Sequence, residues 1–444
     1  MAKPTSQFVC QNCGATYSKW SGKCMQCGAW DSLVEEAIAM PIGGSKTSAK
    51  PIKPTKLSAV GSQKQARFST DLSEVDTVLG GGIVPGSLIL LAGDPGIGKS
   101  TLVLQVAAHL SKNKSVLYVS GEESAGQIKM RADRIKGIKP NFDFVSSTDL
   151  DSVLASVQAS DYDLVVLDSI QTMNTGLSAS AAGTVSQITN AAAAIMNVGK
   201  STNTSFVIIG HVTKEGNLAG PRLLEHLVDT VLYLEGEKYG AFKVLKSVKN
   251  RFGSTNEVGI LEMTDSGLKA VGNPSQHLLQ ERSQAPGSAI FATMEGSRPL
   301  LVEVQALVSP SVFGYPKRSA VGIDLNRLSL LAAVATKRGG INLSTSDIYV
   351  NIVGGLRITE PAIDLAIILS IASASKNVII DSKTVVFGEV GLSGEVRSVH
   401  MADRRISEAK KLGFSQAIVP PQIRSVGAHS AKSIVEAIKL ISKK

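Results

Sequence analysis

The stretch 88-LILLAGDPGIGKST-101 decides the fold. LILLAG is a short apolar run without alternation, the pattern of a strand buried on both faces. The next residues, 93-GDPGIGKST-101, satisfy G-x-x-x-x-G-K-[ST], and 100-STLVLQVAAHLSK-112 continues as a helix. Strand, glycine loop and helix in this order make a phosphate cradle. Loop N–H groups and the positive end of the helix face the anion. Gly93, Asp94, Pro95, Gly96, Ile97 and Gly98 are read as that loop. Lys99 is the cation for the β- and γ-phosphates, Ser100 the Mg²⁺ ligand, and Thr101 the neighbour of the α-phosphate.

Working outward, short apolar runs recur at 115–120, 163–168, 204–210, 230–235 and 242–249, with helical patterns filling most gaps. This predicts an α/β core with a mostly parallel sheet. The last two runs are separated by a short polar segment and read as a hairpin added at the sheet edge. In 163-DLVVLDS-169 four apolar residues end in Asp168, a second Mg²⁺ ligand at a strand tip. In 116-VLYVSGEES-124 a strand opens onto two adjacent carboxylates. One of them suits activation of a water molecule, and Glu122 is favoured over Glu123. In 207-VIIGHVTKEG-216, His211 and Thr213 fall where a γ-phosphate sensor would sit. Beyond them Lys214, Gly216, Gly220 and Arg222 form a loop with few apolar anchors. The loop 172–185 is similarly small and mobile, and the two together suit a nucleic-acid channel.

All four cysteines lie in 10-CQNC-13 and 24-CMQC-27. Two CxxC knuckles converge four thiolates on one tetrahedral ion, so Cys10, Cys13, Cys24 and Cys27 read as a structural Zn²⁺ site, with an iron or redox centre as the alternative. A module of about 30 residues needs such a staple to fold. Clustered rather than scattered cysteines, and no apolar signal core in MAKPTSQFV, lead to the expectation that this is not a secreted disulfide protein. The most apolar run, 362-AIDLAIILSIA-372, is too short to span a bilayer and carries Asp364. The expectation is a cytoplasmic protein without membrane contact.

Hydrophobic residues make up 43% of 444, enough for two or three cores. The net charge is +9, of which +6 falls in residues 1–68, nine Lys/Arg against three Asp/Glu. That suits a polyanion contact or a solvated arm equally. The organisation read here is a C4 zinc module at 1–35, a flexible linker at 36–56, an ATPase domain at 57–270, a second linker at 271–286 and a further domain at 287–444.

One motif stands 150 residues beyond Lys99. The stretch 249-KNRFG-253 holds two cations, Lys249 and Arg251, far along the chain from the phosphates they suit. The order C4 knuckle, GDPGIGKST, SGEES, LDSIQ, GHVTKEG, KNRFG closely resembles the bacterial RadA (Sms) family of recombination and repair ATPases, over essentially the whole chain. The core is similar to RecA and to hexameric DnaB-type helicases. The resemblance implies ATP bound between subunits of a ring, a hexamer, with Lys249 and Arg251 reaching the neighbour's γ-phosphate. Phe252 and Gly253 would shape the turn that aims them. It also implies a DNA-dependent motor acting on single-stranded and branched DNA alongside RecA.

The tail resembles the α+β, S5-like proteolytic domain of Lon through 359-TEPAIDLAIILS-370 and 388-GEVGLSGEVRSV-399. The family's serine position falls at Ala362 and its lysine at Asp403, so no Ser–Lys dyad is expected; a shifted register would offer Ser370 or Lys410 instead. Basic clusters in the tail, Lys317 and Arg318 with Arg327, Lys337 and Arg338, suit phosphate contact or a solvated face. Two other readings remain. One is an ATP-dependent protease or unfoldase. The other is a nucleotide-state signalling ATPase of the clock type, against which stand the single P-loop and the C4 module.

Overall fold

The strand that runs into the glycine loop, Leu88–Gly93, is the middle member of a nine-stranded sheet. In the computed structural model, which describes residues 6–10, 15–37, 66–135, 141–176, 181–211, 222–236, 242–280, 282, 284–311 and 315–442, two compact units are distinguished. One comprises Met1–Glu235 with Val244–Ala270, the other Gly236–Lys243 with Val271–Lys444.

In the first unit the sheet order is Gly267–Ala270, Val258–Thr264, Phe242–Asn250, Thr230–Glu235, Leu88–Gly93, Ser205–Ile209, Leu164–Asp168, Val116–Ser120 and Asp143–Ser146. The six strands from Thr230–Glu235 to Asp143–Ser146 are parallel. Side chains alternate across this sheet as the pleat requires. Ile89 and Leu91 join a cluster with Leu102, Val103 and Val106 of the helix Lys99–Leu110. Leu88, Leu90 and Ala92 join another with Ile188, Ala191 and Ile195 of the helix Val185–Thr202. Helices on both faces explain why these strands read as unbroken apolar runs.

The predicted hairpin is antiparallel, with Leu245 opposite Leu234, but it is not the sheet edge. Val258–Thr264 and Gly267–Ala270 extend the sheet beyond it. The sequence reading also passed over Asp143–Ser146, a four-residue edge strand that is mostly exposed and so lacks an apolar run.

At the N-terminus, Ser6–Cys10, Thr16–Tyr17 and Leu33–Ala37 form a three-stranded antiparallel sheet around Cys10, Cys24 and Leu33. The second unit carries a mixed seven-stranded sheet. The helix Asp364–Lys376, buried at every position from Asp364 to Ser373, packs on its strands Arg298–Pro310 and Ser288–Glu295. Within the stretch read as a second linker, Pro274–Leu279 is a helix. Asn273 caps it, proline occupies its first turn, and Leu278 is buried. Among the described residues, no helix is long and apolar enough to cross a membrane.

Candidate active site

Parallel strands bring their C-terminal ends to one edge of the sheet, where loops from different strands converge. Gly93, Ser120, Asp168 and Ile209 end four such strands. One strand, Ser205–Ile209, separates the glycine-loop strand from the Asp168 strand, as in a RecA-like core.

In the glycine loop Gly93, Gly96 and Gly98 have φ of 148°, 78° and 116°. A Cβ on Gly93 would lie 2.4 Å from the Leu234 carbonyl oxygen, so only glycine lets this turn form against the neighbouring strand. Ile97 is the loop's buried anchor, while Asp94, Pro95 and Gly96 are exposed. Lys99 is almost fully buried, and its ammonium donates to the Gly93 and Asp94 carbonyls at 2.8 and 2.9 Å. Burial lowers its pKa, against the pull of Asp168, Asp94 and Glu122. Ser100 and Thr101 follow in the first helical turn.

Ser100 is close enough to Asp168 to favour its charged form, which places the two residues read as Mg²⁺ ligands side by side. Tyr118 donates to Asp168 Oδ2 at 2.9 Å from the adjacent strand. Burial raises the Asp168 pKa, while Ser100 and the Tyr118 hydroxyl favour its charged form. The Tyr118 hydroxyl is itself pushed well up, first by burial and then by the Asp168 charge.

The two adjacent carboxylates part company. Ser120 Oγ accepts from the N–H groups of Glu122 and Glu123 at 3.2 and 2.9 Å, folding the chain into a tight turn. Glu122 Oε1 then receives the Ser169 hydroxyl at 2.6 Å and stands 3.3 Å from His211 Nε2. Glu123 instead pairs with Arg131 of the helix Ala125–Arg134, leaving its Oε2 buried without a partner. His211 is half-buried; Gln171 donates to its carbonyl at 3.3 Å. Thr213, Lys214, Gly216 and Gly220 lie outside the described residues, as does the Arg222 side chain. The start of the loop 172–185 is pinned rather than loose. Met173 is fully buried, Thr175 Oγ1 donates to Asp151 Oδ1 at 2.8 Å, and the Gly176 N–H donates to Oδ2 at 2.7 Å.

Lys249 and Arg251 are not at this edge. Lys249 pairs with Val231, which pairs with Leu90, whereas Gly93 pairs with Leu234. The KNRFG stretch is therefore level with the start of the glycine-loop strand. A bulge at Val248 re-phases the strand just before Lys249. The Lys249 ammonium donates to the carbonyls of Glu225 and Val228 at 2.5 and 2.9 Å. Its pKa is lowered by burial and then by the Arg251 charge. Arg251 is half-exposed, with Nη1 3.4 Å from Asp229 Oδ1. Asp229 Oδ2 in turn accepts the Leu88 N–H at 3.1 Å. Phe252 gives its N–H to Asn250 Oδ1 at 2.9 Å and accepts Arg67 Nη2 at 2.8 Å, so this turn is tied to the chain before the sheet. Tyr118, Arg131, Ser169, Asp229 and Arg67 were not singled out from sequence. Tyr118 and Ser169 lie inside stretches already read and Asp229 beside one; Arg131 and Arg67 carried no local signal.

The thiols of Cys10, Cys24 and Cys27 all lie within 4.8 Å of one another, and Cys10 and Cys27 are 3.7 Å apart. A tetrahedral zinc with bonds of about 2.3 Å has sulfur–sulfur edges of about 3.8 Å, so the three thiols fit that ion. Cys13 lies outside the described residues.

In the second unit Ala362 is buried and Asp403 exposed. Two residues before Ala362, Glu360 accepts Arg405 Nη1 and Nη2 at 3.0 and 2.5 Å, Thr293 Oγ1 at 2.7 Å and the Met294 N–H at 2.8 Å. Arg405 is 1% exposed and lies between Phe291 and Phe387. The Ser370 hydroxyl is fully buried and bonded to the Ile367 carbonyl, and Lys410 bonds Ser425 Oγ at 3.1 Å. Arg318 donates to the carbonyls of Lys317, Ser346 and Leu343, and Arg327 makes a bidentate pair with the buried Asp364. The Lys317 ammonium lies 5.9 Å from the Tyr349 ring centroid.

A glycine loop, an acid at the tip of a non-adjacent strand and a carboxylate on the strand beyond it define a RecA-like P-loop ATPase core. The comparisons narrow this class. Residues 53–217 match the profile of an AAA domain, residues 8–35 that of a rubredoxin metal binding domain, and residues 323–423 that of the subunit ChlI of Mg-chelatase. The chain is 48% identical over 444 residues to the DNA repair protein RadA of Halalkalibacterium halodurans, covering 99% of this chain and 97% of the relative. It is 50% identical over 427 residues to the DNA repair protein RadA of Bacillus subtilis, covering 95% and 93%. The chain belongs to the family of the DNA repair protein RadA. Among solved structures, a RadB recombinase is similar at 24% identity with a TM-score of 0.38, and a KaiC-like protein of Pyrococcus horikoshii at 16% with 0.39. Each covers 46% of this chain and 99% of its own.

Proposed function

We propose that this chain is a DNA-dependent ATPase that works as a ring, a hexamer, with each ATP bound between two subunits. The observation that carries this reading is the register of Lys249. It is level with Leu90, three residues short of Gly93 and two strands away from it, and its ammonium is held by the backbone carbonyls of Glu225 and Val228. A cation pair so placed serves a phosphate on another subunit. Hydrolysis then depends on assembly, and the developing charge meets cations only at a formed interface.

In this reading the glycine loop and Lys99 hold the phosphates, and Ser100 with Asp168 holds Mg²⁺. Bound Mg²⁺ would neutralise charge on the β- and γ-phosphate oxygens. Glu122 is the general base, since Glu123 is committed to Arg131. His211, within hydrogen-bonding reach of Glu122, reports on the γ-phosphate. Zn²⁺ at Cys10, Cys13, Cys24 and Cys27 is structural.

The motor would act on single-stranded and branched DNA during homologous recombination and repair, alongside RecA, through Lys214, Arg222, Lys317 and Arg318. Of these, Arg318 is the weakest candidate, because its guanidinium already serves three carbonyls. A peptidase lacks support: Ala362 offers no nucleophile, Asp403 no amine, and the Ser370 hydroxyl is turned to its own helix. The test is the steady-state ATPase rate with and without single-stranded DNA, with Lys99→Ala as the blank. Strong stimulation is expected; a rate indifferent to DNA would remove the motor.

A further inference from the structure

The turn that carries Glu122 is seated on the turn that follows Asp168. The Gly121 N–H donates to the Asp168 carbonyl at 2.9 Å, continuing the strand pairing by one residue. A Cβ on Gly121 would lie 2.1 Å from Thr172 Oγ1, so the two turns meet only because residue 121 is glycine. Thr172 is fixed in turn, its hydroxyl donating to the Ser169 carbonyl at 2.8 Å. Ser169 itself is fully buried, and its hydroxyl donates to Glu122 Oε1 at 2.6 Å. His211 Nε2 lies 3.3 Å from the same oxygen. Both contacts fall on Oε1, and among the described residues Oε2 takes none.

We infer that Ser169 is a positioning residue for the water-activating carboxylate. Its hydroxyl fixes the Glu122 rotamer through Oε1 and leaves Oε2 to take the proton. This rests on the assignment of Glu122 as the base. A side chain on a tight turn, 41% exposed, has many rotamers open to it. One short bond from a buried, immobile hydroxyl removes most of them before ATP arrives, and a base works only within hydrogen-bond reach of its water. Ser169 touches neither water nor phosphate in this role, so its effect passes entirely through Glu122.

The experiment compares Ser169→Ala, Glu122→Gln and the double variant in the full-length protein. It reads steady-state kcat and KM, binding of a fluorescent ATP analogue, and single-turnover hydrolysis. A hydrogen bond to a charged group makes the expected loss in kcat for Ser169→Ala about tenfold or more, with KM and analogue affinity within about twofold. Ser169→Thr, which keeps the hydroxyl, should recover turnover. In the Glu122→Gln background the same Ser169→Ala change should alter the single-turnover rate by less than about twofold, because its route is already gone. Unchanged kcat in Ser169→Ala would overturn the inference. So would a loss that appears in nucleotide affinity, or one that adds in full to Glu122→Gln. Normal turnover in Glu122→Gln alone would instead strike the base assignment, and the inference with it.

Discussion

Lys249 and Gly93 lie two strands apart in one sheet and at different heights along it. Through Val231 the lysine is level with Leu90, three residues before Gly93. At about 3.3 Å per residue this is a step of about 10 Å along the strands, in addition to the two strand spacings between them. Arg251 lies further from the glycine loop, past the end of the strand. The separation is built in by rigid sheet pairing, not by loop placement.

Removing either cation should therefore spare nucleotide binding and abolish turnover. Lys249→Ala and Arg251→Ala are each expected to lower kcat by roughly a thousandfold, the usual worth of a cation delivered to a transferring phosphoryl group. Affinity for a fluorescent ATP analogue should stay within a few-fold. Parallel titration and phosphate-release assays read both quantities.

The two glutamates of the SGEE turn should behave differently. Glu122→Gln is expected to cut turnover by about 10²–10⁴-fold, the range for general base catalysis, without loss of stability. Glu123→Gln weakens the pair with Arg131, whose Nη1 is already buried without a partner. Its cost should appear mainly as about 1–3 kcal/mol of stability in a denaturant titration. The reverse pattern would exchange their roles.

Gly121 admits no side chain. Its Cβ would overlap the Thr172 hydroxyl, so Gly121→Ala must push the two turns apart. A stability loss of about 1–3 kcal/mol is expected from overpacking, with turnover falling further than stability explains because Glu122 moves with the turn. Thermal unfolding beside single-turnover hydrolysis separates the two effects.

In the second unit the buried Arg405 pairs with the partly exposed Glu360. Arg405→Ala removes two bonds from the partly exposed Glu360 carboxylate and leaves it only the Thr293 and Met294 donors, so a loss of about 1–3 kcal/mol is expected. Limited proteolysis should then cut within 271–444 while ATP-analogue binding by the first unit persists.

Much of this was legible in the chain itself. Strands buried on both faces, such as 164-LVVLD-168, announce themselves as unbroken apolar runs, and the glycine loop has a spacing with one physical purpose. Asp143–Ser146 was missed because an exposed edge strand need not be apolar. The added strands Val258–Thr264 and Gly267–Ala270 were missed because edge position depends on pairing across the sheet, which local pattern does not record. Spacing alone left Glu122 and Glu123 nearly equal. Arg131, eight residues on, and Ser169, 47 residues from Glu122, separate them only after folding. Lys249 and Arg251 were visible as cations, but their distance from the glycine loop emerges only from strand register.

The most direct test of shared active sites mixes two inactive proteins. Lys99→Ala keeps its Lys249 and Arg251 but loses its phosphate cradle; Arg251→Ala keeps the cradle but loses the cation it offers to a neighbour. If each site is completed by the next subunit, an equimolar mixture regains ATPase activity. Random assembly makes about one interface in four complete in a head-to-tail ring, so about a quarter of parental activity is expected. A mixture as inactive as its two components would contradict the account.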